Sequence, residues 1–152
     1  MILGLDLGTH TGYAWRSSAG KVNHGHVNFA TAPGIIEGGG MRHLRFRRWL
    51  VDFCSVFGWP KSIYFEQVRA HKGTIAAHMY GGFMFELAEW CEGRDPPIPF
   101  SGIHVGTIKK HIAGRGNASK EEMMAAVKAL GYDVTDENEA DALGVLLTAT
   151  FT

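Results

Sequence analysis

The 152-residue sequence carries 15 basic and 15 acidic residues, so its net charge is zero, and 45% of its residues are apolar. This length and composition are typical of one globular domain with a sizeable core, and they exclude disordered and fibrous chains. No 18-residue window is apolar and free of charge, and no basic segment leads into an apolar one at the start. We therefore expect neither a membrane span nor a signal peptide, and a cytoplasmic location. Cys54 and Cys91 lack metal-binding spacing and are predicted to be reduced core thiols.

The first half of the sequence predicts three antiparallel strands, one helix and a fourth strand. Short apolar runs bounded by turn residues are typical of buried strands, and apolar residues at three- and four-residue spacing are typical of an amphipathic helix. In chain order, the strands are predicted over 2–6, 13–17 and 22–29, the helix over 41–57 and the fourth strand over 62–67. The apolar face of the helix is expected to contain Leu44, Leu50, Val51, Cys54 and Phe57.

The second half of the sequence predicts helices that alternate with one more strand. Residues 119–122 form a capping box, and Thr135 is expected to cap the last helix. Three strands followed by this alternation predict a single α/β domain over 1–152, with a mixed five-stranded sheet flanked by helices. The helices are predicted over 74–90, 107–113, 120–130 and 136–150, and the fifth strand over 98–105.

Two predicted strands end in a carboxylate, and the last predicted helix carries a third. Asp6 ends the first strand and Glu66 lies at the end of the fourth, so they lie side by side if these strands are neighbours. Asp141 is the acid on the last helix. Carboxylates that lie close together repel unless cations share them, and Mg²⁺ and Mn²⁺ take oxygen ligands. The three acids therefore predict a site for Mg²⁺ or Mn²⁺.

The acidic segment around Asp141 offers further candidate ligands. Residues three or four apart share a helix face, whereas residues two apart lie about 200° apart around the axis. Asn138 or Glu137 can therefore flank Asp141 as a supplementary ligand or water-holding group, and the choice between them stays open. Glu139 is expected to point away from the site into solvent.

Basic residues are concentrated in two other segments. Segment 42–72 holds seven Lys and Arg against two acids, and segment 109–120 holds four and no acid. A basic surface around a small acidic centre is the pattern expected where a phosphate backbone meets metal-binding carboxylates. Solvated helix faces would give the same clusters, so the charge pattern alone does not decide between them. Our hypothesis is that both segments contact DNA as one surface on each protomer of a dimer.

Four sequence blocks, in this order, resemble the RuvC Holliday-junction resolvases over nearly the whole chain. Each block is weak alone, but the ordered set with its approximate spacing is specific. The blocks are ILGLDLGTHTGY at 2–13, EQV at 66–68, IKK at 108–110 with GRGNASK at 114–120, and EADAL at 139–143.

The resemblance implies a ribonuclease H-like fold, a homodimer with two active sites, and metal-dependent nicking of paired strands at four-way DNA junctions. It assigns metal binding to Asp6, Glu66 and Asp141, and it places Lys109 and Lys120 near the scissile phosphate. The residues expected to contact DNA are Arg69, Lys72, Lys109, Lys110, Arg115 and Lys120.

Two positions depart from the family pattern. The usual fourth acid, three residues before the last aspartate, is Asn138 here, which bears on the affinity for a second metal ion. The residue after the EQV block, often an aromatic that meets bases at the junction, is Arg69, which bears on stacking at the crossover. The short chain and the NEADA segment at 138–142 are similar to phage-type members.

The chemistry of phosphodiester hydrolysis suits these residues. It needs an activated water and a neutralised leaving oxygen, and two metal ions about 3.5–4 Å apart serve both ends. Asp6 would bridge the ions, Glu66 would hold the ion near the leaving group, and Asp141 would hold the ion that activates water. Lys120, at a predicted helix N-terminus, would add positive charge at the phosphate and so belongs to the catalytic set. Competing functions are a YqgF-type ribonuclease, a catalytically weak junction-binding module and, from the DLGT motif, a fragment of an actin-like ATPase.

Overall fold

The computed structural model describes residues 1–151, and a five-stranded mixed sheet lies at its centre. The strands are β1 (Ile2–Asp6), β2 (His10–Arg16), β3 (Val22–Asn28), β4 (Ser62–Gln67) and β5 (Phe100–His104). Their order across the sheet is β3-β2-β1-β4-β5. Side chains of the central strand β1 are buried on both faces of the sheet, as expected when helices cover each side.

The register of β1 brings two of the candidate acids together. β1 pairs antiparallel with β2 and parallel with β4, and Leu5 lies level with Phe65 in the parallel pair. Asp6 and Glu66 therefore follow at the same edge of the sheet, because parallel strands end on the same side. β4 also pairs parallel with β5, so three strands end at this carboxyl edge. The predicted proximity of the first and fourth strands is confirmed.

Within residues 1–151, five helices cover the two faces of the sheet. One face packs against α1 and α2 through an apolar cluster, and the other packs against α3, α4 and α5. The helices are α1 (Met41–Phe57), α2 (Thr74–Glu92), α3 (Val105–Ala113), α4 (Lys120–Ala129) and α5 (Glu137–Phe151). This arrangement confirms the predicted mixed five-stranded sheet flanked by helices. No helix within residues 1–151 combines the length and apolar character that crossing a membrane requires.

The predicted ends of most elements agree with the structure to within two residues. β2 differs most, because it begins at His10, three residues before the predicted start. The capping box that begins α4 at Ser119 is confirmed, since its hydroxyl accepts a hydrogen bond from the Glu122 N–H. The prediction that Thr135 caps α5 is wrong. Since α5 begins at Glu137, Asp136 is the capping residue, and its carboxylate accepts the Asn138 N–H at 2.8 Å.

The predicted apolar face of α1 is only partly correct. Leu50 and Cys54 are buried, but Leu44, Val51 and Phe57 are between 45% and 50% exposed. The buried side instead includes Phe46 and Phe53. Each follows an exposed aliphatic residue by two positions, so its side chain leaves the helix about 200° around the axis from that residue. Ring contacts with the sheet and with Trp49 fix this orientation.

Both cysteines lie in the apolar layer between α1, α2 and the sheet. Cys54 and Cys91 are buried and free. Burial raises the pKa of the Cys54 thiol to about 11 and that of Cys91 to about 12, despite the nearby Arg94 cation that opposes the shift. Both side chains are therefore protonated core thiols, as the sequence predicts.

Two glycines let α5 lie close on the sheet. A Cβ added at Gly12 of β2 would stand 1.8 Å from the Asn138 carbonyl oxygen. A Cβ added at Gly4 of β1 would stand 2.9 Å from the Leu146 backbone nitrogen. The backbone of α5 therefore rests directly on that of β1 and β2, and this contact sets where the first turn of α5 meets the carboxyl edge.

Candidate active site

Asp6, Glu66 and Asp141 meet at the carboxyl edge of the sheet. Burial raises the pKa of Asp6 well above its ordinary value, and the charges of Asp141 and Glu66 raise it further. Asp6 and Glu66 follow neighbouring parallel strands and are close enough for each carboxyl to alter the pKa of the other. The structure thus places two acids from adjacent strands and one from α5 within electrostatic reach of one another.

Asp141 and Glu66 also have raised pKa values. Burial, followed by the charge of Glu66, raises the pKa of Asp141 to about 7, while Lys120 and Lys109 oppose the shift. Burial raises the pKa of Glu66, and Lys109 is the strongest opposing charge. Three desolvated carboxyls that repel one another form a site that a bound cation would stabilise.

The donor chemistry of this cluster fits a hard divalent cation, because every side chain offers carboxylate oxygen. As the side chains lie, no group of three or more His, Cys, Asp or Glu residues within 1–151 is gathered closely enough to hold a metal ion. The raised pKa values of Asp6 and Glu66 favour protons at this site, and a bound cation would replace them. Rotation of these side chains would accompany cation binding.

Lys120 stands between the acid cluster and Glu137. Its ammonium group lies 2.8 Å from Glu137 Oε1, and both side chains are about half exposed or more. The hydrogen bond to Glu137 raises the pKa of Lys120, and Asp141 and Asp6 add to this effect. Glu137 therefore acts as the partner of Lys120 in this structure, whereas the sequence left it as a candidate ligand beside Asn138.

The remaining predicted DNA contacts have different surroundings. Lys109 is half-buried and lies close enough to influence Glu66 and Asp141. Arg69, Lys72 and Lys110 are exposed. Arg115 is exposed and forms an ion pair with Glu122.

The arginines of α1 are mostly engaged within the protein. Arg42 donates to the Thr9 hydroxyl oxygen at 2.9 Å. Arg45 pairs with Glu37. Arg47 lies 3.0 Å from Glu89 and 3.5 Å from Glu86. The structure therefore assigns these three arginines to internal contacts, which the basic count of segment 42–72 does not reveal.

The prediction that Glu139 faces solvent is wrong. Glu139 is 8% exposed, and its two carboxylate oxygens accept hydrogen bonds from His24 Nδ1 at 2.8 Å and His26 Nδ1 at 2.7 Å. Helix periodicity places Glu139 away from Asp141, but that side of α5 meets β3 rather than water. The sequence does carry a signal, because His24-Gly25-His26 places two imidazoles on one face of a strand.

The turn after Asp6 is closed by a buried threonine. Thr11 is fully buried, and its hydroxyl donates to the Gly8 carbonyl at 2.7 Å and accepts from the Gly8 N–H at 3.3 Å. This turn leads straight into β2, where Gly12 makes room for Asn138. The GTHTG segment thus holds Asp6 at a fixed end of β1 and seats α5.

Three solved structures of junction resolvases are similar to this chain. Thermus thermophilus RuvC in complex with Holliday junction substrate has a TM-score of 0.77 and 22% identity, covering 99% of this chain and 92% of that one. Thermus thermophilus RuvC has a TM-score of 0.74 and 24% identity, covering 99% and 93%. The chain has the RuvC fold.

The RuvC fold extends to a more distant structure. The yeast mitochondrial Holliday junction resolvase Ydc2 has a TM-score of 0.65 and 16% identity, covering 97% of this chain and 76% of that one. No protein-family model and no curated protein matches the sequence. The predicted ribonuclease H-like fold is thereby confirmed by shape.

Proposed function

We propose that this protein is a divalent-metal-dependent endonuclease that resolves four-way or other branched DNA junctions by paired phosphodiester nicks. The observation that carries the proposal is the cluster of Asp6, Glu66 and Asp141 at the carboxyl edge of a RuvC fold, with Lys109 and Lys120 beside it. Carboxylates hold the metal ions of phosphoryl-transfer sites, and lysines stabilise phosphate charge.

Asp6, Glu66 and Asp141 would hold Mg²⁺ or Mn²⁺, two ions per active site. When bound, the ions supply an activated water and charge stabilisation at the leaving oxygen. We assign the bridging role to Asp6, because the charges of both Asp141 and Glu66 reach it. We place Asn138 as the supplementary oxygen donor rather than Glu137, because Glu137 is paired with Lys120.

The lysines bind and orient the DNA backbone in this proposal. Lys109 lies on α3 within reach of Glu66, so a phosphate held by its ammonium group would lie next to the acid cluster. Lys120 extends from the first residue of α4, where backbone N–H groups also attract anions. A phosphate that approaches Lys120 competes with Glu137 for the same ammonium group.

We propose that two copies of the chain form a homodimer, so that one junction meets two active sites. The outer faces of α1 and α2 carry exposed apolar side chains of the kind that interfaces bury. Ile75 and Phe85 of α2 are 76% and 66% exposed, and Leu44 and Val51 of α1 are 48% and 45% exposed. We further propose that residues 1–152 act as a single nuclease domain in the cytoplasm.

A cleavage assay tests the proposed function. The protein is incubated with four-way, flap and linear duplex DNA and with structured RNA, in Mg²⁺, in Mn²⁺ and in a chelator. We expect metal-dependent, paired cuts in the four-way junction. Asp6→Asn should abolish cutting and retain junction binding, while Asp52→Asn, an exposed acid on α1, should cut normally. Cleavage of RNA alone would favour the ribonuclease alternative, and binding without cleavage in either metal would favour the junction-binding module.

A further inference from the structure

A second cluster of titratable side chains lies next to the acid site but does not belong to it. His24 and His26 of β3 donate to opposite oxygens of the Glu139 carboxylate at 2.8 and 2.7 Å. We call these three residues the histidine clamp. Glu139 is buried, with 8% of its surface exposed, and a buried carboxylate is costly unless both oxygens are satisfied.

The histidine clamp joins the edge strand of the sheet to the first turn of α5. Asn138 and Asp141 lie immediately around Glu139 on this turn. The same turn rests on Gly12 of β2, the cross-strand neighbour of His26, where no Cβ fits below the Asn138 carbonyl. β2 therefore sets the height of this turn above the sheet, and the clamp fixes its rotation.

The rotation of α5 matters for the acid site. Glu139 and Asp141 are two residues apart, so their side chains leave the helix about 200° apart. Rotation that lets Glu139 move away from β3 carries Asp141 through the same angle relative to Asp6 and Glu66. Hydrogen bonds to both Glu139 oxygens oppose that rotation.

We propose that His24, His26 and Glu139 are positioning residues that set the location of Asp141 and thereby the affinity of the acid cluster for a divalent cation. This inference rests on the proposed function. It assigns a task to three residues that neither bind the metal nor contact the reacting phosphate.

Removal of the two histidines tests the inference, because electrostatics alone predicts tighter cation binding whereas loss of the clamp predicts weaker binding. The hydrogen bond to Glu139 raises the pKa of His26, with a smaller contribution from Asp136, so this imidazole carries positive charge more readily. The ring of Tyr132 also packs against His24. Tyr13 lies on the opposite face of the sheet against Trp49 and Phe53, and burial, followed by the charge of Glu139, raises its pKa. Removing positive imidazoles would strengthen the attraction of a cation to Asp141. Loss of the clamp would weaken it.

The experiment measures Mn²⁺ binding to the full chain by electron paramagnetic resonance, without DNA and well below the melting temperature. The variants are the double variant His24→Ala/His26→Ala, the single variant His26→Ala, and Glu139→Gln. His26 is partly exposed, so its single variant is the milder change. In Glu139→Gln the amide oxygen accepts from one imidazole and the amide N–H donates to the other. Cys91→Ala removes a buried group from α2, on the opposite face of the sheet, and serves as the matched control for lost stability.

We expect about tenfold weaker Mn²⁺ binding in the double variant and a smaller loss in His26→Ala, by analogy with residues that orient metal ligands. Cys91→Ala should bind within about twofold of the wild type. Glu139→Gln, which keeps a hydrogen bond to each imidazole, should lose less affinity than the double variant. Binding that is unchanged or tighter in the histidine variants would overturn the inference. So would a separate Mn²⁺ equivalent that disappears with the histidines, because the cluster would then hold metal itself.

Two further measurements separate this inference from the proposed function. The first measurement compares Mn²⁺ binding by the wild type and by Asp6→Asn. If the wild type has no Mn²⁺ site that is lost in Asp6→Asn, the clamp inference and the proposed function are both overturned. If Asp6→Asn abolishes binding and the wild type cuts junctions, but the histidine variants bind normally, only the clamp inference fails.

Discussion

At the scale of single residues, the acid cluster is held in a state that favours protons. Burial is the largest cause of the raised pKa values of Asp6, Glu66 and Asp141, and mutual repulsion adds to it for Asp6 and Asp141. Lys109 and Lys120 only partly offset this loss of solvation. The site therefore destabilises the metal-free fold increasingly as pH rises, and it is suited to binding positive charge.

This electrostatic state predicts how stability depends on pH. Because the folded protein binds these protons more tightly than the unfolded chain, the stabilisation is fully present below the unfolded carboxyl pKa of about 4. It is lost as pH rises through the folded value, about 7 for Asp141. We expect the melting temperature of the metal-free protein to fall by about 5 °C between pH 5 and pH 8, and Mg²⁺ to restore it at pH 8 but not at pH 5.

Thermal unfolding at both pH values, with and without Mg²⁺, checks this prediction. Asp141→Asn serves as the comparison, since it removes one of the three titrating carboxyls and leaves the raised pKa of His26 in place. The wild type should lose more stability with rising pH than this variant. Equal slopes for the two proteins would contradict the assigned role of Asp141.

At the scale of secondary-structure elements, the sequence predicts periodic features well and tertiary partners poorly. The bounds of α1 and β4 follow from local composition, as does the capping box at Ser119, because these signals lie within a few residues of chain. The burial of Glu139 depends on two histidines more than a hundred residues earlier. The sequence shows that these histidines share a strand face, but it does not show that they meet Glu139. The requirement for glycine at position 12 is also invisible in the local sequence, because the backbone of α5, far along the chain, leaves no room for a Cβ there.

Gly12→Ala is expected to damage both the fold and the site. The new Cβ would stand 1.8 Å from a backbone carbonyl, which cannot rotate away as a side chain would. The first turn of α5 must move, at a cost of about 3 kcal/mol, and Asp141 moves with it. Denaturant unfolding and the junction-cleavage assay measure the two effects.

Gly38→Ala is the control, because nothing lies within 4 Å of its Cβ position. If Gly12→Ala unfolds and cuts like Gly38→Ala, the close approach of α5 is not what holds the site.

At the scale of the whole molecule, folding redistributes the charge pattern of the sequence. The strongly basic segment 42–72 suggests a continuous DNA surface, but Arg42, Arg45 and Arg47 are engaged with polar groups of the same chain. Lys61 precedes β4 and so lies at the edge of the sheet opposite Glu66. The sequence shows how many basic side chains a segment contains. The hydrogen bonds and ion pairs that those side chains form in the folded protein decide which of them can contact a ligand.

This pairing predicts which basic residues contribute to the salt dependence of DNA binding. Each phosphate neutralised by a lysine or arginine releases counterions, so the slope of log affinity against log salt changes by about 0.9 per contact. In an Asp6→Asn background, which prevents cutting, Lys109→Ala should reduce the slope for four-way junctions by about one. Arg47→Ala should leave it unchanged, because Arg47 already pairs with Glu86 and Glu89. Fluorescence anisotropy from 50 to 300 mM salt measures both slopes. Equal losses in the two variants would mean that the α1 arginines leave their ion pairs on binding, and an unchanged slope for Lys109→Ala would remove Lys109 from the DNA surface.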